Sequence, residues 1–119
     1  MSIASASHTA LVRMVVLNDE PIGYAHAVDL VDRSLPPAMW TAEAFIGAMT
    51  HRGRGLGAEA LGLLRDEVFR TTLAAGLAVR VSIRNERHVR AIERVGFLWR
   101  SVVPDTLLGP CWLMVAERR

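Results

Sequence analysis

The spacing of hydrophobic positions divides the chain into extended and helical segments. Six segments either are rich in β-branched and apolar residues or alternate apolar and polar positions. They predict strands over residues 9–17, 22–31, 40–49, 77–83, 97–103 and 112–117. Turn residues from Asn18 to Pro21 separate the first two strands and predict a hairpin. The pair Pro36 and Pro37 predicts a loop before the third strand.

Two other segments have the helical period. In the first, which follows Gly57 and extends to Ala75, apolar residues recur at intervals of three and four, and Gly76 occupies the position of a C-terminal cap. Its apolar stripe consists of Leu61, Leu64 and Val68. The second helix is predicted over 86–95, with Asn85 as its N-cap and Gly96 at its end. Its stripe consists of Val89, Ile92 and Val95.

The resulting element order is β-β-β-α-β-α-β-β. This alternation predicts an α/β (α+β) fold in which the helices pack on a mixed sheet. A length of 119 residues fits one domain, 1–119. The apolar runs are shorter than the roughly 20 residues that cross a bilayer, and the N-terminus lacks the charge and apolar pattern of a secretory signal. We therefore expect a cytoplasmic protein without a membrane partner, in which Cys111 is a half-buried thiol.

Basic residues are concentrated in the second half of the chain, and all 14 of them are Arg. Residues 1–50 contain two Arg against five acidic residues, whereas residues 51–119 contain twelve Arg against seven acidic residues. Arginine is suited to bidentate contacts with phosphate or carboxylate. A nucleic-acid surface over 80–94 is disfavoured because Glu86 and Glu93 offset its arginines and no aromatic residues alternate with them.

A glycine-rich segment precedes the first predicted helix. Gly53, Gly55 and Gly57 leave the backbone open to close approach, while Arg52 and Arg54 add positive charge beside the unpaired N–H groups of the helix N-terminus. We call residues 52–58 the anion cradle. The glycine spacing differs from a P-loop and from a dinucleotide-binding fingerprint, so another phosphate-bearing ligand is indicated. A glycine-rich turn with exposed arginines is the alternative.

Two motifs resemble the signatures of the GNAT N-acetyltransferase superfamily. Residues 52–58, R-G-R-G-L-G-A, are similar to the loop that binds the pyrophosphate of acetyl-coenzyme A in that family. Residues 85–97, N-E-R-H-V-R-A-I-E-R-V-G-F, are similar to the second signature, a helix that begins with Asn and ends in E-K-x-G-F. The resemblance covers about residues 9–117. It implies acetyl transfer from acetyl-CoA to a primary amine by direct attack in a ternary complex, without a metal ion.

The resemblance also indicates candidate acceptors, and these disagree. The hairpin at 17–25 is similar to that of aminoglycoside 6'-N-acetyltransferases, whereas the second signature is closer to ribosomal-protein alanine N-acetyltransferases. The acceptor, a small molecule or a peptide, therefore stays open.

Candidate site residues follow from the resemblance. The implied coenzyme-binding residues are Phe45, Ile46, Gly47, Arg52, Gly53, Arg54, Gly55, Leu56, Gly57, Ala58 and Asn85. Many members place a tyrosine acid where this chain has Ile92, so Ser82 and Tyr24 are the substitute candidates. Glu43 is the candidate base, while His51 and His88 are expected to be solvated surface residues.

The front of the chain differs from the family pattern. The usual first strand and two helices, which build much of the acceptor site, are missing before residue 9. A sheet without its first strand exposes an edge, which predicts a homodimer through the N-terminal hairpin or the last strands. A non-catalytic acyl-CoA-binding module, or a truncated remnant of an acetyltransferase, is the alternative function.

Overall fold

A computed structural model describes residues 10–29, 38–47 and 55–118. The predicted order of strands and helices is confirmed. The elements are β1 (Ala10–Leu17), β2 (Glu20–Val28), β3 (Met39–Ile46), α1 (Leu56–Thr71), β4 (Gly76–Ser82), α2 (Glu86–Arg94), β5 (Leu98–Asp105) and β6 (Gly109–Glu117).

All six strands form one sheet in the order β1-β2-β3-β4-β6-β5. Only β3 and β4 are parallel, and the other neighbouring pairs are antiparallel. The last hairpin is tighter than predicted, because Pro104 pairs with Pro110 and Asp105 with Gly109, which extends both strands to a turn at 106–108. Both edge strands, β1 and β5, leave one side without a partner strand among the described residues. The homodimer through such an edge stays a prediction.

Both helices cover the same face of the sheet. One buried cluster joins the predicted stripe of α1, namely Leu61, Leu64 and Val68, to Val89 and Ile92 of α2. Alternate strand residues complete this cluster, among them Ala25, Ala42, Val79, Val81 and Met114. A smaller cluster lies on the opposite face and consists of Met39, Ala78, Leu113 and Val115. In this way strand alternation assigns each side chain of the sheet to a helix-covered face or to the opposite face.

The prediction for Gly76 is wrong. α1 ends at Thr71, and its C-cap is Thr72, whose backbone N–H donates to the carbonyl of Val68. Gly76 is instead the first residue of β4. A β-carbon at this position would lie 2.8 Å from the sulfur of Met39 and 3.0 Å from the carbonyl oxygen of Ala116. Glycine is therefore favoured here by close packing against Met39 and the backbone of Ala116 rather than by a helix end.

Replacing Gly76 by alanine is expected to lower the free energy of unfolding by about 1–3 kcal/mol, as overpacking of a core does. Gly62→Ala, a change within α1, is the matched control. The β-carbon added at Gly62 would lie 3.4 Å from the β-carbon of Val95, which is an ordinary van der Waals distance. Denaturant titration of both variants measures the difference. Equal stability of Gly76→Ala and the wild type would contradict this packing role.

Cys111 is more buried than predicted. Its side chain is 0% exposed rather than half-buried, and burial raises the pKa of its thiol. A buried thiol with a raised pKa is a poor nucleophile, which assigns Cys111 to the core.

In the part of the chain that the structure describes, no helix has the length and hydropathy needed to cross a membrane.

Candidate active site

The sheet opens between its two parallel strands. β3 and β4 pair only from Met39 to Thr41 and from Gly76 to Ala78, and beyond these residues no pairing joins them. A cavity of about 430 Å³ fills the space where they separate. We call this cavity the sheet opening. Its lining residues are Thr41, Ala42, Glu43, Ala44, Leu61, Ala78, Val79, Arg80, Val81, Ser82, Asn85, His88, Asp105, Leu108 and Leu113.

The lining of the sheet opening comes from both faces of the sheet. Ala42, Val79 and Val81 belong to the core under the helices, so their strand neighbours Glu43 and Arg80 lie on the opposite face. The helices add Leu61, Asn85 and His88 to the lining, and the β5–β6 hairpin adds Asp105 and Leu108. Two ligands can therefore approach one point from opposite sides of the sheet.

Glu43, the candidate base, lies on β3 and lines the sheet opening. Its side chain is 76% exposed, and its Oε1 lies 3.3 Å from Nε2 of His26, the residue directly opposite it on β2. The carboxylate thus lies beside a neighbouring imidazole while staying accessible. Sequence reasoning did not connect Glu43 with His26, because their contact depends on the strand register.

The hairpin between β5 and β6 brings a second carboxylate to the opening. The backbone N–H groups of Leu108 and Leu107 donate to Oδ1 of Asp105 at 2.9 and 2.8 Å. These bonds hold the pKa of Asp105 below its usual value, and the nearby charge of Arg80 contributes further. Sequence reasoning missed both Arg80 and Asp105. The alternation of Arg80 with Val79 and Val81 was the available signal for an outward-facing arginine.

His88 is not the solvated surface residue that was expected. It lies in the first turn of α2, is half-buried and lines the sheet opening. Burial lowers the pKa of its imidazole below the ordinary value of 6.5. Its ring is therefore uncharged at neutral pH.

Asn85 is the N-cap of α2, as predicted, since its Oδ1 accepts the backbone N–H of His88 at 3.2 Å. It also lines the opening next to Ser82. The hydroxyl of Ser82 accepts the backbone N–H of Arg84 at 3.3 Å. Ile92 is 0% exposed in the core, so this position of the second signature brings no polar group to the opening.

The described part of the anion cradle has an open backbone. Gly55 is the N-cap of α1 with φ of 75°, and no atom lies within 4 Å of the position a β-carbon would take. No side chain caps the helix, so the N–H groups of the first turn, which includes Leu56, Gly57 and the buried Ala58, have no side-chain partner among the described residues. Arg52, Gly53, Arg54 and His51 lie outside the described residues.

The end of β3 lies beside this helix N-terminus. A β-carbon on Gly57 would lie 3.9 Å from Cγ1 of Ile46, and the N–H of Gly47 donates to the carbonyl of Ile22 at 2.8 Å. The rings of Phe45 and Tyr24 are in contact in a tilted arrangement, with their centroids 5.7 Å apart. The structure thus brings Ile46 to the cradle but leaves Tyr24 on the face away from the helices, outside the lining of the opening.

Among the described residues no cluster of His, Cys, Asp or Glu could hold a metal ion.

Comparison with known families gives a match over most of the chain. Residues 2–98 match the family model described as the acetyltransferase (GNAT) domain. The chain therefore belongs to the GNAT acetyltransferase family. No curated protein matches its sequence.

Solved structures of an aminoglycoside acetyltransferase and a spermidine N-acetyltransferase have the same fold. The structure of AAC(6')-Ib in complex with paromomycin and acetyl-CoA has a TM-score of 0.78 and 25% identity, covering 98% of this chain and 69% of that one. Its complex with ribostamycin and coenzyme A has the same TM-score and identity, with 68% of that chain covered. A chimera of spermidine N-acetyltransferase SpeG from Vibrio cholerae and hSSAT has a TM-score of 0.75 at 14% identity, covering 98% of this chain and 70% of that one.

Proposed function

We propose that the protein transfers an acetyl group from acetyl-CoA to a primary amine of a small molecule or peptide. The observation that carries this proposal is the opening through the sheet between β3 and β4, adjacent to the uncapped N-terminus of α1. A route from both faces lets an enzyme hold two substrates against each other, which removes much of the entropic cost of a bimolecular reaction.

The cradle fits the pyrophosphate of the coenzyme. The space around Gly55 and the first-turn N–H groups of α1 can receive a phosphate, and Arg52 and Arg54 would add charge-assisted hydrogen bonds. Residues 45–47 and Asn85 would hold the pantetheine arm between the cradle and the sheet opening. Bound there, acetyl-CoA supplies the activated acetyl thioester.

The opposite face supplies the acid–base chemistry. Glu43 accepts a proton from the amine nitrogen as that nitrogen forms its bond to the acetyl carbon. Its accessible carboxylate, supported by His26, fits this role because an amine can reach it from solvent. Ser82 stays a candidate donor from the end of β4, while Tyr24 lies on the same sheet face as Glu43 but outside the lining of the opening. The aminoglycosides in the neighbouring structures are examples of amine-bearing compounds to test.

The non-catalytic acyl-CoA-binding module is the second candidate. It is favoured by Ile92, a buried apolar residue at the position where the second signature often has a tyrosine hydroxyl. Such a module would bind coenzyme A through the same cradle. It would release no thiol in the presence of an amine.

Two measurements on the purified protein separate these functions. Calorimetry with acetyl-CoA tests binding, and thiol release with a panel containing ribostamycin, spermidine and an alanine-terminated peptide tests transfer. We expect binding and amine-dependent thiol release. Binding without release would support the module, and absence of binding would overturn both functions.

Sedimentation at micromolar concentration tests the predicted homodimer, and a monomer would count against it.

A further inference from the structure

His88 occupies a distinctive place in the sheet opening. It lies on the helix-covered side, three residues after the N-cap Asn85. Its backbone N–H donates the capping hydrogen bond to the side chain of Asn85. Its ring makes no hydrogen bond or ion pair with any residue that the structure describes. His88 is half-buried, and it lines the cavity.

The charged groups of the opening lie on the other side. Glu43 and Arg80 occupy the face away from the helices, and Asp105 reaches the opening from the β5–β6 hairpin. The helix-covered side contains the N-terminus of α1, Asn85 and His88. If the coenzyme lies along the cradle, its sulfur meets the opening on the side of His88, whereas the amine meets it on the side of Glu43.

The helix register places His88 one turn from the position of the missing acid. Ile92 stands where the family signature often has tyrosine, and His88 precedes it by four residues, one turn along the same helix face. Ile92 is buried in the core, whereas His88 reaches the opening. The polar group is thus displaced by one turn toward the N-terminus of α2.

We propose that the ring N–H of His88 donates a hydrogen bond to the coenzyme sulfur and stabilises its negative charge when the acetyl group is transferred. This role rests on the proposed acetyltransferase function. As the nitrogen–carbon bond forms and the carbon–sulfur bond breaks, the electron pair of the latter bond goes to sulfur. Glu43 takes the proton of the amine, and His88 keeps its own proton. A half-buried imidazole whose pKa is lowered by burial suits this task, since it needs no change of protonation state during turnover.

The test compares His88→Ala with His88→Gln, whose amide can still donate a hydrogen bond. The ultraviolet absorbance of the thiolate reports the pKa of the thiol of bound coenzyme A without requiring turnover. We expect this thiol pKa to be about 1 higher in His88→Ala than in the wild type, a tenfold loss of ionisation. We also expect kcat to fall about 10- to 100-fold at unchanged acetyl-CoA affinity, as for a lost hydrogen bond to a charged group. His88→Gln should restore most of both losses.

Two controls make the result specific. Arg90→Ala changes an exposed residue on another side of α2 and should leave both readouts unchanged. Ser82→Ala tests the other donor at the opening. If His88→Ala has the wild-type thiol pKa, or if only Ser82→Ala raises it, the role of His88 is overturned while the acetyltransferase proposal stands. A wild-type protein that does not bind coenzyme A would overturn both.

Discussion

Gly57→Trp is expected to raise the dissociation constant for acetyl-CoA about 100-fold or more while the fold remains. Gly57 is the second residue of α1, where first-turn N–H groups face the proposed phosphate site. A β-carbon fits there, 3.9 Å from Ile46, but an indole would fill the cradle. Losing two charge-assisted hydrogen bonds, at about 1.5–3 kcal/mol each, accounts for an effect of this size. Calorimetric titration with acetyl-CoA measures it.

Gly57 is a better position for this test than Gly55, because a substitution at Gly57 changes ligand binding without straining the backbone. Gly55 has φ of 75°, so any side chain there would strain the backbone as well as occupy the cradle. Leu63→Trp is the matched control, because it adds the same ring to a residue of α1 that is 71% exposed. Thermal unfolding should give similar midpoints for both variants. Wild-type affinity in Gly57→Trp would refute the assignment of the cradle.

Glu43→Gln is expected to reduce kcat/KM for acetyl transfer about 10²- to 10⁴-fold, the usual contribution of a general base. The amide has nearly the same shape as the carboxylate but cannot accept the proton of the amine. Acetyl-CoA affinity should be unchanged, because Glu43 faces away from the helix-covered side. Thiol release under amine-limited conditions measures the loss.

Formate provides a further test of Glu43. In Glu43→Ala, a small carboxylate can enter the sheet opening and accept the proton, so added formate should restore part of the activity. Glu20→Gln, which alters an exposed acid at the start of β2, should retain wild-type activity. If Glu43→Gln is as active as the wild type, the base is another group, and His26→Ala identifies whether it is the neighbouring imidazole.

The sequence alone determined those features that depend on neighbouring residues. Hydrophobic periods predicted the element order, because side-chain direction repeats every two residues in a strand and every 3.6 in a helix. The cap at Asn85 was also predictable, since an N-cap bonds an N–H only three residues away. The glycine and arginine pattern of 52–58, followed by the second signature, indicated the GNAT family, which the match over 2–98 shows.

Only the tertiary structure decided how distant segments meet. Gly76 had the local appearance of a helix cap, but its role depends on Met39 and Ala116, which belong to neighbouring strands. The sheet opening exists because the pairing of β3 with β4 stops at Thr41 and Ala78, which no local period encodes.

The polar lining of the opening was likewise decided by the fold. His88 has the sequence context of a surface residue because its neighbours on α2 are charged, yet the packing of α2 turns it toward the cavity. Arg80 and Asp105 reach the same space from a strand and a hairpin. Their convergence follows from strand register and helix packing, which join residues far apart in the chain and therefore leave no short-range pattern in the sequence.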